Sequence, residues 1–342
     1  MSKRILIVGN SAPWALEKFY QNHLKNLGYQ VEIFNVCEFY NTQTILNKVR
    51  FKLMDLSLFK QVNIKLLAFC EREKPDIVWV FKGVEIYPET LMRLNLVGVF
   101  LVNYNPDHPF LRSSASHGGI NIELSIPLYN LLFSYRKDLV CIFKDNYAKP
   151  AELLPFGFEL SDFDFSRIKV SEQFQRVCFI GTPDKERTTI LLYLARLGFK
   201  IDIFSQTYYN KNVLARNNNI TLYKNVYGDE FWRTIMCYRV QLNFLRVHNK
   251  NSHNQRTFEV PGAGGILLTE FSDEQSDFFN EGREIFFFRS VSELPDQISS
   301  VLGLSKDDSI QLRINARTMS EENGYSYVNR AKIVHNAFKI HF

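Results

Sequence analysis

The sequence predicts an α/β protein built from two Rossmann-like domains, and three observations carry that expectation. The chain opens on a β-branched run over residues 5–8, a helical run over 14–27 and a second strand-like run over 31–34. The same order restarts near the middle, with runs over 177–180, 185–197 and 201–204. Later, polar residues from Asn254 to Glu259 lead through a small-residue turn into an apolar run over 266–269. Unbroken apolar strands that alternate with helices belong to parallel sheets covered on both faces.

Taken in order, the first strand stops at Gly9, Asn10 and Ser11, and Leu16, Phe19, Tyr20, Leu24 and Leu27 mark the apolar face of the first helix. Gly28 closes that helix at the expected C-cap position. A helical pattern over 53–73 precedes a strand over 77–81, which ends at Lys82-Gly83. A helix over 88–94 leads to a strand over 99–103, followed by strands over 131–134 and 153–157. Residues 159–172 have mixed charge and no period, so they read as a linker between domains at 1–158 and 159–342. Beyond the restart come strands over 240–245, 266–269 and 284–288, and a closing helix over 325–340.

Composition narrows the class. At 342 residues, with 46% hydrophobic and 14% aromatic content, the chain is long and apolar enough for two packed domains. A formal charge of +5 suits attraction to a nucleoside diphosphate, or a peripheral contact at an anionic membrane face. It is too small to imply nucleic-acid binding, and no zinc-finger or RNA-recognition signature occurs. The five cysteines are scattered and form no C-x-x-C pair, which reads as reduced core residues in the cytosol. With no secretory apolar segment or membrane-length run, the expected location is the cytoplasm, extending to the inner face of the membrane.

The polar stretch from Asn254 to Glu259 stands where a parallel sheet leaves a crevice for a ligand. The Glu259 carboxylate can accept from paired ribose hydroxyls, and the Arg256 guanidinium can clamp a phosphate. The plainer alternative is that Glu259 only caps a helix and pairs with Arg256. Gly181 and Thr182 follow a strand and open a helix bearing Arg187, a placement that favours phosphate. Neither a Walker A loop nor a G-x-G-x-x-G fingerprint is present. In the first half, Asp107 and His108 lie in a proline-rich loop after a strand, where either could act as general base or only shape the turn. Gly9, Asn10, Lys82 and Gly83 end neighbouring strands and are acceptor-side candidates. His117-Gly118-Gly119 reads as a flexible loop over the cleft. His248 and His253 lack metal-ligand spacing, no D-x-D element stands at a strand end, and Asp162, Asp164, Asp307 and Asp308 read as solvated, so no metal is expected.

The run Leu242-Asn-Phe-Leu-Arg246, with Asn254, Arg256-Thr-Phe-Glu259 and Gly264-Gly-Ile-Leu-Leu-Thr269, resembles the donor half of GT-B glycosyltransferases. Within them it is most similar to the spore-maturation CgeB-like branch. The resemblance implies two Rossmann-like domains facing a central cleft, with the last helix crossing back to the first domain. It implies that Glu259 holds the donor ribose beside Asn254, Arg256, Gly264 and Gly265. It also makes Gly181, Thr182 and Arg187 pyrophosphate contacts, because relatives carry a similar F-I-G-T…R run. Relatives often have a second glutamate eight positions before the first, where this chain has Asn251. The activity implied is metal-independent transfer of a hexosyl-type sugar from a nucleoside-diphosphate donor to a glycan, lipid-linked saccharide or protein hydroxyl. Two other readings are a non-catalytic nucleotide- or sugar-binding protein and a nucleotide-sugar epimerase, the latter disfavoured by the missing dinucleotide fingerprint and the second sheet.

Overall fold

The computed structural model describes residues 2–40, 47, 49–50, 56–111, 119–160 and 173–342. The chain divides into two units: Met1–Pro155 with Tyr327–Phe342, and Phe156–Ser326. Each holds one six-stranded, all-parallel sheet with helices between its strands.

The first sheet contains β1 (Arg4–Gly9), β2 (Gln30–Asn35), β3 (Ile77–Phe81), β4 (Phe100–Asn105), β5 (Leu131–Ser134) and β6 (Ala151–Leu153). Their order is β2-β1-β3-β4-β5-β6. All five β3 residues are buried, as a central strand covered on both faces requires. One face packs Val78 and Val80 against Leu66, Leu91 and Leu94. On the other, Trp79 meets Tyr20 and Phe338. Phe338 belongs to the closing Tyr327–His341 helix, which is therefore part of this unit's core.

The second sheet contains β7 (Phe174–Ile180), β8 (Ile201–Phe204), β9 (Ile220–Tyr223), β10 (Tyr238–Asn243), β11 (Leu267–Glu270) and β12 (Phe286–Phe288). Its order is β12-β11-β10-β7-β8-β9, with β10 and β7 adjacent at the centre. Val177, Ile203, Val240, Leu242 and Leu268 form the middle of its core.

In each sheet the chain first builds outward on one side of its opening strand and then returns to build on the other. The reversal opens a crevice at the carboxyl ends of the two strands that flank it. Those strands are β1 and β3 in the first unit, and β7 and β10 in the second.

Several element bounds differ from the sequence reading. The strand expected over 153–157 is β6, and it stops because Pro155 has no N–H to continue the ladder. Phe156 and Phe158 turn instead into the second unit, where Phe156 meets His253 and Phe158 lies over Gly262. The unit boundary accordingly falls at Pro155, ahead of residue 158. The run over 284–288 pairs only from Phe286, because Glu284 bends back to accept from the Asn280 backbone N–H at 2.7 Å. His117, Gly118, Asp162, Asp164, nearly all of the linker and the start of the helix over 53–73 lie outside the described residues.

Candidate functional site

At the carboxyl edge of the second sheet, Ile180 ends β7 and Gly181 and Thr182 form the turn that follows. Asp184 caps the Lys185–Arg196 helix by accepting from the Arg187 backbone N–H at 3.0 Å. Thr182 is exposed at this helix start, where backbone N–H groups and the helix dipole favour an anion. Arg187 behaves otherwise than expected. Its side chain is buried, and its guanidinium donates to the Thr182 carbonyl at 3.3 Å and the Phe244 carbonyl at 2.9 Å. Burial lowers its affinity for the proton. Arg187 thus ties the turn after β7 to the chain leaving β10.

Helix Gln255–Gly262 starts at the same edge. Asn254 precedes it and exchanges amide hydrogen bonds with Asn243, the last residue of β10, at 3.0 and 3.2 Å. The Thr257 hydroxyl accepts from the Asn254 backbone N–H at 3.3 Å. Asn254 is therefore fixed as a cap, and Asn243 passes the network on to Thr269 at 2.9 Å. One residue into the helix, the Arg256 guanidinium lies 4.6 Å from the Phe231 ring centroid and donates to the Ile180 carbonyl at 3.4 Å. Its other end pairs with Glu259 Oε2 one turn later. No other donor takes Glu259 Oε1 among the described residues. Burial pushes the Glu259 carboxyl above the usual range, and Arg256 pulls it partly back. The result is a half-buried carboxylate with one oxygen anchored and the other available as an acceptor.

Gly264 and Gly265, expected among the donor contacts, lie at the far end of this helix. Arg313 donates to the Gly264 carbonyl at 2.7 Å and to the Met236 carbonyl at 3.3 Å, and Met236 precedes the first residue of β10. This is the amino edge of the sheet. Gly264 takes a left-handed φ of 67° to turn the chain. A Cβ on Gly265 would stand 2.6 Å from Ile235 Cγ2 and 2.9 Å from Val260 Cγ1. Both glycines serve the turn and close packing, because the helix carries the chain back across the sheet. Asn251 has a φ of 61°, a left-handed turn conformation that asparagine tolerates better than glutamate.

Arg246 was not among the expected site residues. It is exposed just beyond β10, beside Arg187, and no hydrogen bond or ion pair engages its side chain among the described residues. The only sequence signal is its place in the Leu242–Arg246 run after an apolar strand.

At the carboxyl edge of the first sheet, Lys82 follows β3 with a left-handed φ of 58°, and Gly83 has a φ of 99°. The Asp107 carboxylate forms an ion pair with Lys82 Nζ at 2.7 Å, and Asn105 Oδ1 accepts from the Asp107 backbone N–H at 3.0 Å. His108 Nδ1 accepts from the Phe110 backbone N–H at 3.3 Å. Burial, reinforced by Arg136, lowers the His108 pKa and keeps the ring neutral. In that state Nε2 carries the proton and offers a donor, which is not the geometry of a general base. Gly9 and Asn10 end β1, where Glu17 Oε1 accepts from the Asn10 backbone N–H at 2.8 Å. A side chain on Gly9 would collide with that carboxyl. Gly9, Asn10, Lys82, Gly83, Asp107 and His108 are thus all placed on strand ends and following loops, with Glu17 added by the tertiary structure.

Among the described residues no group of three or more His, Cys, Asp and Glu side chains is arranged to hold a metal ion. Nor is any described helix long and apolar enough to cross a membrane.

Residues 187–336 match the glycosyl transferase-like family. No curated protein matches the sequence. Among solved structures, sucrose-phosphate synthase from Thermosynechococcus elongatus aligns with a TM-score of 0.74 at 9% identity, covering 98% of each chain. Anabaena HepE in complex with UDP-glucose gives 0.65 at 10% identity, over 98% of this chain and 99% of that one. UDP-GlcNAc 2-epimerase from Neisseria meningitidis bound to UDP-GlcNAc gives 0.59 at 13% identity, over 98% and 99%. The fold is that of the GT-B glycosyltransferases, with two six-stranded parallel sheets. The epimerase shares this fold, so the second sheet, counted above against an epimerase, does not separate the two chemistries.

Proposed function

We propose that this protein is a metal-independent GT-B glycosyltransferase, closest in kind to the CgeB-like branch. It moves a hexosyl-type sugar from a nucleoside-diphosphate donor to the hydroxyl of a glycan, lipid-linked saccharide or protein. The observation that carries this reading is the Arg256–Glu259 pair on the carboxyl edge of the second sheet. It stands at the chain reversal, inside the domain that matches the glycosyl transferase-like family. Glu259 Oε1 is the acceptor for a ribose hydroxyl. The exposed Thr182 turn, the start of the Lys185–Arg196 helix and the exposed Arg246 meet the diphosphate, with Arg187 holding the turn in place. Helix dipole and guanidinium then neutralise the leaving group without a cation. Asn10, Lys82, Gly83, Asp107 and His108 make up the acceptor side. Because HepE is recorded with UDP-glucose and the epimerase with UDP-GlcNAc, UDP-sugars are the first donors to try.

One observation favours a different class. Asn251 stands where relatives often carry a second glutamate, as it would in a protein that binds a nucleotide sugar without transferring it. Calorimetry with UDP, GDP, CMP and dTDP, followed by release of the nucleotide from the corresponding sugar donors, separates the readings. Binding without release with any donor or acceptor supports the non-catalytic protein. Absence of binding to all four nucleotides sinks both.

A further inference from the structure

Two buried ionisable side chains of the second unit, His253 and Glu274, have no part in the reading above. We propose that they are positioning residues for the donor site, an assignment that rests on the donor-site reading of Glu259. Together they fix where the Gln255–Gly262 helix begins, and so where Glu259 presents its open oxygen. Every contact involved lies inside the second unit.

His253 is wedged between two helices. Its ring meets Phe258 of the Gln255–Gly262 helix and Phe278 of the Asp273–Phe278 helix, each edge-on with centroids 5.2 Å apart. Phe156 packs against it at 5.7 Å. Its Nδ1 lies 3.0 Å from Glu274 Oε2, and the Ser252 hydroxyl donates to that same oxygen at 2.5 Å. Glu274 belongs to the Asp273–Phe278 helix, so the two residues before Asn254 are both tied to it. Ser272, which caps that helix, donates to the Ser252 carbonyl. Gln275 Oε1 extends the tie by accepting from the Thr257 hydroxyl at 2.8 Å and the Thr269 hydroxyl at 3.3 Å. Asn254 is held in turn by Asn243 at the end of β10. The helix start is thereby gripped from two sides, and Arg256 and Glu259 follow directly.

Stability alone does not account for these side chains. His253 and Gln275 are fully buried, and Glu274 is nearly so. Desolvating an imidazole and a carboxylate offsets most of what their pairing returns, and apolar side chains of similar volume commonly hold a fold equally well. What the polar pair adds is direction. Satisfied buried hydrogen bonds specify one arrangement, where apolar packing tolerates small slides. Glu259 needs that precision, because its open oxygen must meet a ribose hydroxyl at hydrogen-bond distance. A shift of about 1 Å is enough to lose such a contact.

The test measures UDP affinity by calorimetry beside the melting temperature. Wild type, His253→Leu, Glu274→Leu, Glu274→Gln and Glu259→Ala are compared, together with His253→Leu combined with Glu259→Ala. The folded leucine variants should bind UDP about tenfold more weakly, and no more weakly than Glu259→Ala, whose lost hydrogen bond bounds the effect. Glu274→Gln keeps an acceptor oxygen for Ser252 and His253, so its affinity should stay close to that of wild type. Because the pair acts through Glu259, His253→Leu should add little once Glu259 is alanine. Leucine variants that melt lower yet bind UDP as wild type does overturn the assignment, since that is a purely structural role. So do losses that add in full to that of Glu259→Ala, or a Glu274→Gln variant as weak as Glu274→Leu. Where the leucine variants do not fold, Ser252→Ala removes one donor to Glu274 with little change in volume. Wild-type affinity in that variant, or a loss that adds in full to Glu259→Ala, overturns the assignment in the same way. A wild type that fails to bind UDP overturns the donor-site reading, and the assignment with it.

Discussion

Arg256 and Glu259 hold each other across one turn of the Gln255–Gly262 helix, and from that turn Arg256 also reaches the carbonyl that ends β7. One ion pair therefore couples the helix after β10 to the strand beside it. The pairing with Arg256 does not exclude a ligand role for Glu259, because it uses only one carboxylate oxygen.

Glu259→Ala should weaken UDP binding while preserving the fold. A hydrogen bond to a charged group contributes about 1.5–3 kcal/mol, so calorimetry should show an affinity loss of roughly one to two powers of ten. Wild-type affinity in a folded variant would remove Glu259 from the ribose site.

Arg187→Lys should act on stability. The change strips hydrogen bonds from the Thr182 and Phe244 carbonyls, and a lysine cannot fork to both. Each buried group left unpaired costs about 1–3 kcal/mol, so the melting temperature should drop by several degrees. An unchanged melting temperature with weakened UDP binding would instead make Arg187 a direct phosphate contact.

Gly265→Ala should also destabilise, since its Cβ would press on Ile235 and Val260. Overpacking of this kind typically costs about 1–3 kcal/mol. The folded fraction should bind UDP with unaltered affinity, because this glycine lies at the amino edge of the sheet. A specific loss of binding would return the glycine turn to the donor site.

Sugar transfer should persist in excess EDTA. In the proposed reading a helix start, a backbone turn and Arg246 meet the diphosphate and supply positive potential without a cation. Activity abolished by chelation and restored by magnesium or manganese would contradict that account.

The pH dependence of stability should reveal Glu17. Its folded-state pKa is raised chiefly by burial, so the folded protein holds this proton more tightly than the unfolded chain. Stability therefore falls as pH rises from the ordinary carboxyl value through the raised one, and stays lower above it. Glu17→Gln removes this contribution. The melting temperature of the variant minus that of wild type should thus increase from acidic to neutral pH. A difference constant across that range would show that burial does not perturb the carboxyl.

The sequence by itself determined the local elements and the broad architecture. Three strands, β3, β5 and β8, have the bounds their apolar runs indicate, and the repeat of strand, helix and strand announces the second unit. Asn254, Arg256 and Glu259 were legible because they precede a buried strand at a spacing a short helix can fill. The Lys137–Tyr147 helix, β9 and the Gly228–Cys237 helix were not read, since about three helical turns or a strand of 4 residues offer few positions from which to fix a period. What only the tertiary structure decided was how each polar group is used. Arg187 meets Phe244 across 57 residues, Lys82 meets Asp107 where β3 and β4 end, and Glu17 covers Gly9. Those contacts follow from sheet order and register, which bring distant segments together at one edge. Spacing along the chain marks a side chain as polar and near a strand end. Only the packing of neighbouring strands and helices shows whether it is caught by a carbonyl, paired with a charge, or left open to a ligand.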